Sequence, residues 1–131
     1  MALAVGATRD VTDAARGRGL RAARLQAAKA HIMAHLSQQD LSMESVARDQ
    51  NVTPRYIRKL FETENASFSE FVLAQRLTSA HRMLGDPRLA TQSISSIAFA
   101  AGFGDISYFN RTFRRHFGAT PSEVRQSLAA S

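Results

Sequence analysis

The segment SISSIAFAAGFGDISYFNRTFRRHF, residues 93–117, decides the fold of this chain. Its first half repeats apolar residues at the three- and four-residue spacing of one helix face, namely Ile94, Ile97, Ala98 and Ala101. Gly102 can end that helix, because glycine adopts the left-handed backbone that stops a helix. Asp105 can then cap the next helix, whose aromatic face starts at Tyr108. Two short helices joined by so tight a turn cross steeply, so the segment predicts a helix-turn-helix.

The second helix of this segment has a polar and basic side opposite its aromatic residues. That side carries Ser107, Asn110, Arg111, Arg114 and Arg115. The major groove of DNA admits one α-helix and shows it a distinct donor and acceptor pattern at each base pair. The segment therefore favours duplex DNA as the binding partner.

Composition agrees with a small DNA-binding protein. The 131 residues support one domain or two very small ones, and a hydrophobic share of 44% is ordinary for a globular protein. The net charge of +6 comes mostly from arginine and favours a polyanionic partner. A solvated basic surface explains the charge alone equally well. The positions of the arginines therefore decide more than their number.

Several other classes of protein are excluded or disfavoured. No apolar run approaches the roughly 20 residues that a membrane span needs, so we expect no membrane association. The absence of cysteine removes disulfides, thiolate zinc sites and cysteine nucleophiles, and favours the cytoplasm. His31 and His35 have the spacing of some zinc ligands, but Ile32 stands where a metalloprotease carries its glutamate, and no third ligand is evident. We expect neither a metal nor a cofactor.

The first half of the chain contains a second helix-turn-helix, in residues 42–62. Ser42 caps one helix, Asn51 supplies the left-handed turn, and Thr53 with Pro54 opens the next helix. The apolar pattern from Val46 to Phe61 repeats that of the later segment 51 or 52 residues on, with one extra residue in the second turn. Such an internal repeat indicates that one groove-reading unit is used twice.

The remaining segments complete an all-α fold. Residues 21–36 predict a helix, residues 67–84 a long helix that joins the two helix-turn-helix units, and residues from Thr120 on a short final helix. Residues 1–20 predict a linker, or the remnant of an interdomain segment, with at most one turn of helix. The expected core is Leu25, Val46, Ile57, Leu60, Phe61, Leu77, Ile97, Phe103, Phe109 and Phe113, and we also place Tyr108 and Phe117 among the core aromatics.

Two helix-turn-helix units joined by a long helix resemble the DNA-binding domain of the AraC/XylS family of bacterial transcription regulators. The residues that carry the match are Arg76-Leu77, Ala80, Leu84, Ile97-Ala98, Gly102-Phe103, Tyr108-Phe109, Arg111, Phe113, Phe117-Gly118 and Thr120-Pro121. The resemblance implies about seven helices in two subdomains within residues 21–131, promoter DNA as a partner and RNA polymerase as a second one. It also implies a sensor or dimerisation domain before this one. We expect the chain to be a fragment of such a protein, with a short stand-alone regulator as the alternative.

The first recognition helix offers three candidate DNA contacts. Arg55 and Arg58 are placed to bind guanine through two hydrogen bonds, and Lys59 can reach a base or a phosphate. The plainer alternative is that these side chains are solvated or paired with a nearby acid, as Arg58 could be with Glu62 at the i, i+4 spacing.

The second recognition helix offers six more. Asn110 suits adenine, Ser107 is permissive and Ile106 can meet a thymine methyl group. Arg111 matches an arginine of the family, and Arg114 and Arg115, one turn later, are expected to touch phosphate. The chain departs from the family at Gly104, where a helix-capping residue is common, and at Ile106, where a polar residue is common. These departures predict fewer hydrogen bonds to bases from this helix.

Two other classes of function stay in view. AraC-like domains also occur fused to DNA-repair alkyltransferases, but that chemistry needs cysteine, and we expect no enzyme activity. Gly102-Phe103-Gly104 is too short for a nucleotide-binding loop. A helical adaptor that binds proteins and has only non-specific affinity for DNA is the main alternative.

Overall fold

The structure is a computed structural model that describes residues 2–130 of the chain, with side chains from residue 9 on. This part of the chain contains α-helices, one short 3-10 turn (Pro87–Leu89) and no strand, which confirms the all-α prediction. The helices are α1 (Ala2–Ala34), α2 (Met43–Gln50), α3 (Pro54–Phe61), α4 (Phe68–Leu84), α5 (Ile94–Ala100), α6 (Ile106–Phe117) and α7 (Pro121–Ala130).

The chain forms two compact units. The first unit combines α1 as far as Ile32 with Ser42–Phe68, and the second combines Met33–Leu41 with the chain from Ser69 on. Each unit contains one helix-turn-helix: α2 and α3 in the first, α5 and α6 in the second.

The start of the chain differs from the prediction. Residues 2–20 were expected to form a linker with at most one turn of helix, whereas α1 is continuous from Ala2 to Ala34. The stretch is rich in alanine and arginine, which are strong helix formers, and each glycine costs only about 1 kcal/mol in a helix interior. Residues 9–24 are exposed apart from the half-buried Gly17, which explains why the sequence shows no apolar period there. The assignment of this stretch as an interdomain segment stays a prediction.

The core of the first unit consists of one apolar face from each of three helices. The buried side chains are Leu25, Ala28 and Ile32 of α1, Val46 and Ala47 of α2, and Ile57, Leu60 and Phe61 of α3. Polar contacts at the edge of this core add to it: Lys29 Nζ lies 2.7 Å from Glu64 Oε1, and His31 Nδ1 lies 3.1 Å from Asp49 Oδ2.

The second unit is built around aromatic rings. Phe103 and Phe109 meet edge to face at 4.9 Å between ring centroids, and Phe109 and Phe113 lie 5.4 Å apart. Leu77, Ala80 and Leu84 of α4 and Ile97, Ala98 and Ala101 at α5 enclose these rings. All ten predicted core residues are buried, which confirms them.

The prediction that Tyr108 and Phe117 lie in the core is wrong, since neither residue is buried. Tyr108 is 43% exposed, because its position in the first turn of α6 puts it on the flank between the buried and the polar face. Phe117, in the last turn, is half-buried and stacks on the edge of the core, 4.6 Å from the Phe113 ring.

The fully buried Phe113 ring gives a stability test with a matched control. We expect Phe113→Ala to lower the free energy of unfolding by about 3–5 kcal/mol, because it leaves a cavity inside the aromatic cluster. Phe99→Ala removes the same atoms from a ring that is 62% exposed and should cost far less. Urea unfolding followed by circular dichroism measures both. Equal losses for the two variants would show that the Phe113 ring does not support the core.

Candidate nucleic-acid interface

The turn before α3 is set by residues whose roles are local. Asn51 has a φ of 56°, in the left-handed region that ends α2. Thr53 caps α3 by accepting a hydrogen bond from the Tyr56 amide at 3.1 Å, and Pro54 follows at the first helical position, where its missing amide costs nothing. These contacts fix the direction in which α3 leaves the turn.

Helix α3 has one buried and one basic face. Ile57, Leu60 and Phe61 are buried, whereas all three predicted DNA contacts are exposed: Arg55, Arg58 and Lys59. In the described part of the chain, no carboxylate lies within 4.0 Å of these three side chains, so the possible pair of Arg58 with Glu62 is not formed. Their charges are therefore available to an anion outside the chain.

The second helix-turn-helix builds the same turn with different residues. Val52 and Phe103 each donate a backbone hydrogen bond to an alanine of the preceding helix, Ala47 at 3.0 Å and Ala98 at 2.9 Å. Gly102, with a φ of 109°, takes the place of Asn51. The Asp105 carboxylate accepts from the Tyr108 amide at 3.0 Å and starts α6, as predicted.

Helix α6 also separates a buried from a polar face. Phe109, Thr112 and Phe113 point inward, and the Thr112 hydroxyl donates to the Tyr108 carbonyl oxygen at 2.8 Å, so its burial costs no hydrogen bond. All six predicted contacts of this helix are exposed: Ile106, Ser107, Asn110, Arg111, Arg114 and Arg115. The guanidinium of Arg111 lies 6.0 Å from the centre of the Tyr108 ring, so Tyr108 borders this polar face.

A surface groove of about 580 Å³ runs beside this face. It is lined by the starts of α5 and α7 and by four of the predicted contacts, Ile106, Asn110, Arg111 and Arg114. The structure thus brings these four side chains to one concave surface. Ser107 and Arg115 do not line the groove.

The side chain of Arg76 in α4 lies against Gly102 of the second turn. Its Nε donates to the Leu36 carbonyl oxygen and its Nη2 to the Gln38 carbonyl oxygen, each at 2.9 Å. Partial burial lowers the pKa of the Arg76 guanidinium from its ordinary value. A Cβ added to Gly102 would overlap the Leu36 carbonyl oxygen and the Arg76 side chain. The sequence alone gave Arg76 no such role, because the contact joins residues 40 positions apart.

Comparison with known proteins identifies the class of domain. The profile of a helix-turn-helix domain family matches residues 46–127, more than half of the chain. A solved transcriptional regulator from Chromobacterium violaceum, described as containing an AraC-type DNA-binding domain, superposes with a TM-score of 0.72 at 30% identity, over 81% of this chain and 92% of that one. The chain belongs to the AraC family.

Three other similar proteins are also regulators by name. The transcriptional activator RhrA of Rhizobium meliloti is 41% identical over 108 residues, which cover 82% of this chain and 34% of RhrA. The regulatory protein PocR of Salmonella typhimurium is 37% identical over 106 residues, with 80% of this chain and 34% of PocR covered. The C-terminal domain of AraT, a response regulator from Geobacillus stearothermophilus, superposes with a TM-score of 0.70 at 31% identity, over 79% of this chain and 84% of that domain.

These matches show how much of its relatives the chain covers and which class of domain it is. It spans about a third of the length of RhrA and PocR. The matched family and folds are DNA-binding domains of transcription regulators and not enzymes. Within residues 2–130, no helix is long and apolar enough to cross a membrane, and no three His, Asp or Glu side chains cluster as metal ligands would.

The crowding at Gly102 gives a second stability test in this AraC-type domain. We expect Gly102→Ala to cost about 3 kcal/mol, because the new Cβ meets both strain at positive φ and overlap with Leu36 and Arg76. Gly118→Ala is the control: its φ of 75° is also positive, but nothing lies within 4 Å of the new Cβ. Urea unfolding compares the two. If Gly118→Ala costs as much as Gly102→Ala, backbone strain alone explains the loss and the overlap is irrelevant.

Proposed function

We propose that this AraC-type domain recognises a specific sequence of duplex DNA by placing α3 and α6 in two adjacent major grooves. The observation that carries the proposal is that both helices bury one face and expose a basic face whose arginines, in the described residues, form no ion pair within 4.0 Å. A solvated surface that served only solubility would not need two such faces in equivalent positions of an internal repeat. The family membership supports the same function.

The two helices are expected to contribute differently. A guanine edge is offered only at certain base pairs, whereas phosphates are offered everywhere along the duplex. Arg55 and Arg58 lie in the first two turns of α3, with Lys59 beside them, and we assign the two arginines to bases. Arg114 and Arg115 lie past the middle of α6, and we assign them to phosphates. Ile106, Ser107, Asn110 and Arg111, in its first two turns, are the base readers of that helix.

A pair of substitutions tests this division. Arg58→Ala should lose about 1–3 kcal/mol against the best sequence and flatten the preference at one or two base pairs. Arg114→Ala should weaken all sequences alike and lower the salt slope by about one ion. The measurement is affinity across a randomised duplex library at two salt concentrations. If Arg58→Ala lowers the affinity of every sequence by the same factor, Arg58 is a phosphate contact.

The number of chains on one site gives a further test. Because one chain carries both recognition helices, one copy should cover two successive major grooves, with centres roughly 34 Å apart. The site should be asymmetric, since the two helices differ in sequence. Footprinting combined with the mass of the complex measures both features. A palindromic site bound only by two copies of the domain would contradict the proposal.

The wider role rests on the relatives. RhrA is named a transcriptional activator, and we propose that the protein containing this domain regulates transcription in the bacterial cytoplasm, as an activator that contacts RNA polymerase. Because RhrA and PocR are about three times as long as the matched region, we also propose a sensor or dimerisation domain on the N-terminal side.

The second candidate function is a helical adaptor that binds proteins and has only non-specific affinity for DNA. Phe99 favours it, because this large ring is 62% exposed on α5. A salt titration separates the two candidates when it compares duplexes from the chain's own upstream region with shuffled ones. Equal affinities and equal salt slopes for both duplexes favour the adaptor. A preference that persists as salt rises favours sequence recognition.

A further inference from the structure

Helix α1 carries a row of arginines beside the first recognition helix, separate from the nine candidate contacts of α3 and α6. Arg18, Arg21 and Arg24 follow one another at a spacing of three residues, which places neighbours on adjoining parts of the helix surface. All three are exposed. We call these residues the α1 arginine row.

The row lies alongside α3. The Arg24 guanidinium lies 5.5 Å from the centre of the Tyr56 ring, in the first turn of α3. Arg18 and Arg21 line a depression of about 340 Å³ together with Leu60 and Thr63, at the far end of α3. Rising residue numbers in α1 therefore meet falling residue numbers in α3, so this part of α1 runs antiparallel along α3.

The contact between Arg24 and Tyr56 lies next to the basic face of α3. Tyr56 is half-buried, between the buried Ile57 and Leu60 on one side and the exposed Arg55 and Lys59 on the other. A cation stacked on Tyr56 therefore stands at the rim of the face that the proposed function puts in the groove. With α3 in a major groove, as the proposed function has it, the phosphate backbones that border the groove run along the rims of that face.

The row has no acid to neutralise it. In the described part of the chain, no carboxylate lies within 4.0 Å of Arg18, Arg21 or Arg24. Of the two glutamates just beyond α3, Glu64 is held by Lys29 at 2.7 Å, and Glu62 pairs with none of the three. These exposed and unpaired cations lie in a row beside α3. A ligand with regularly spaced negative charges would complement them.

We propose that the α1 arginine row binds the phosphate backbone that flanks the groove entered by α3. This rests on the proposed function for the position of the duplex. The chemistry is sequence-independent: each guanidinium that meets a phosphate releases a condensed counterion and adds to the salt dependence of binding. The row then contributes affinity and lengthens the contacted backbone without changing which bases are preferred.

The test uses the whole chain and three glutamine variants, Arg18→Gln, Arg21→Gln and Arg24→Gln, singly and together. Arg16→Gln is the matched control: it removes the same charge from the same helix, but Arg16 lies on the opposite side from Arg18 and approaches Asp13 at 4.0 Å. Fluorescence anisotropy gives the affinity for the best duplex from the randomised library, and for a shuffled duplex, at several salt concentrations.

Each single variant should lower the salt slope by about one on both duplexes, and the triple variant by about three. The triple variant should bind both duplexes roughly 10-fold more weakly at low salt, with the ratio between them unchanged. Arg16→Gln should leave the slope as it is. Arg24→Lys should keep the slope, because lysine still neutralises a phosphate.

Three results would overturn the proposal. If the triple variant keeps the slope of Arg16→Gln, the row does not touch DNA. If it lowers the melting temperature but not the slope, the arginines only stabilise the C-terminal end of α3 through the helix dipole. If it changes the ratio between the duplexes, the row contacts bases.

Failure of the proposed function would look different. In that case the parent chain itself would bind both duplexes equally. The change in slope on the shuffled duplex would still report whether the row meets phosphate.

Discussion

The recognition helices are too short to be stable alone. Isolated helices of fewer than about 12–15 residues are marginal in water, and α3 has 8 residues while α6 has 12. Each is held by burying one face against the rest of its unit, and by a capping side chain at its start. The same burial holds the opposite face in a fixed direction. Exposure of a rigid basic face, which is proposed to meet DNA, is thus a consequence of how the two helices are stabilised.

This arrangement separates the residues that fold the domain from those that are proposed to read DNA. In α6, the inward positions Phe109, Thr112 and Phe113 cannot change without disturbing the aromatic cluster. Asn110 and Arg111 lie between them in the sequence but are exposed, so substitutions there leave the packing of the core unchanged. Under the proposed function, the DNA preference of the domain can therefore change while its stability stays almost constant, because the two sets share a helix but not a face.

Local signals made most of the fold predictable. The caps Thr53 and Asp105 and the turn residue Asn51 act within a few residues of their own position, so the sequence contains the whole interaction. The expectation of at most one turn of helix in residues 2–20 was wrong because an exposed helix needs no apolar period, only helix-forming residues. The prediction that Tyr108 is buried was wrong because residue type alone does not tell whether a ring lies on the buried face of a helix or at its border.

The contacts that sequence reasoning missed all span long stretches of chain. The stacking of Arg24 on Tyr56 and the bonds from Arg76 to Leu36 and Gln38 depend on tertiary packing. No local pattern marks these two arginines among the many others. For the candidate site, the sequence predicted which side chains are exposed on α3 and α6, and the structure agrees. Their individual roles toward DNA stay predictions.

The two turns show how one hydrogen-bond pattern tolerates different residues. Asn51, with a φ of 56°, and Gly102, with a φ of 109°, both adopt positive φ and precede the residue that donates back to a buried alanine, so the two turns share a hydrogen-bond pattern but not the same backbone angle. Asparagine is the side chain that accepts the left-handed conformation most readily after glycine. Asn51 is exposed, so its side chain has room. Gly102 is buried against Leu36 and Arg76, where any Cβ would overlap its neighbours. Close packing and a φ of 109°, well beyond the left-handed region that asparagine adopts, therefore together explain why the second copy needs glycine.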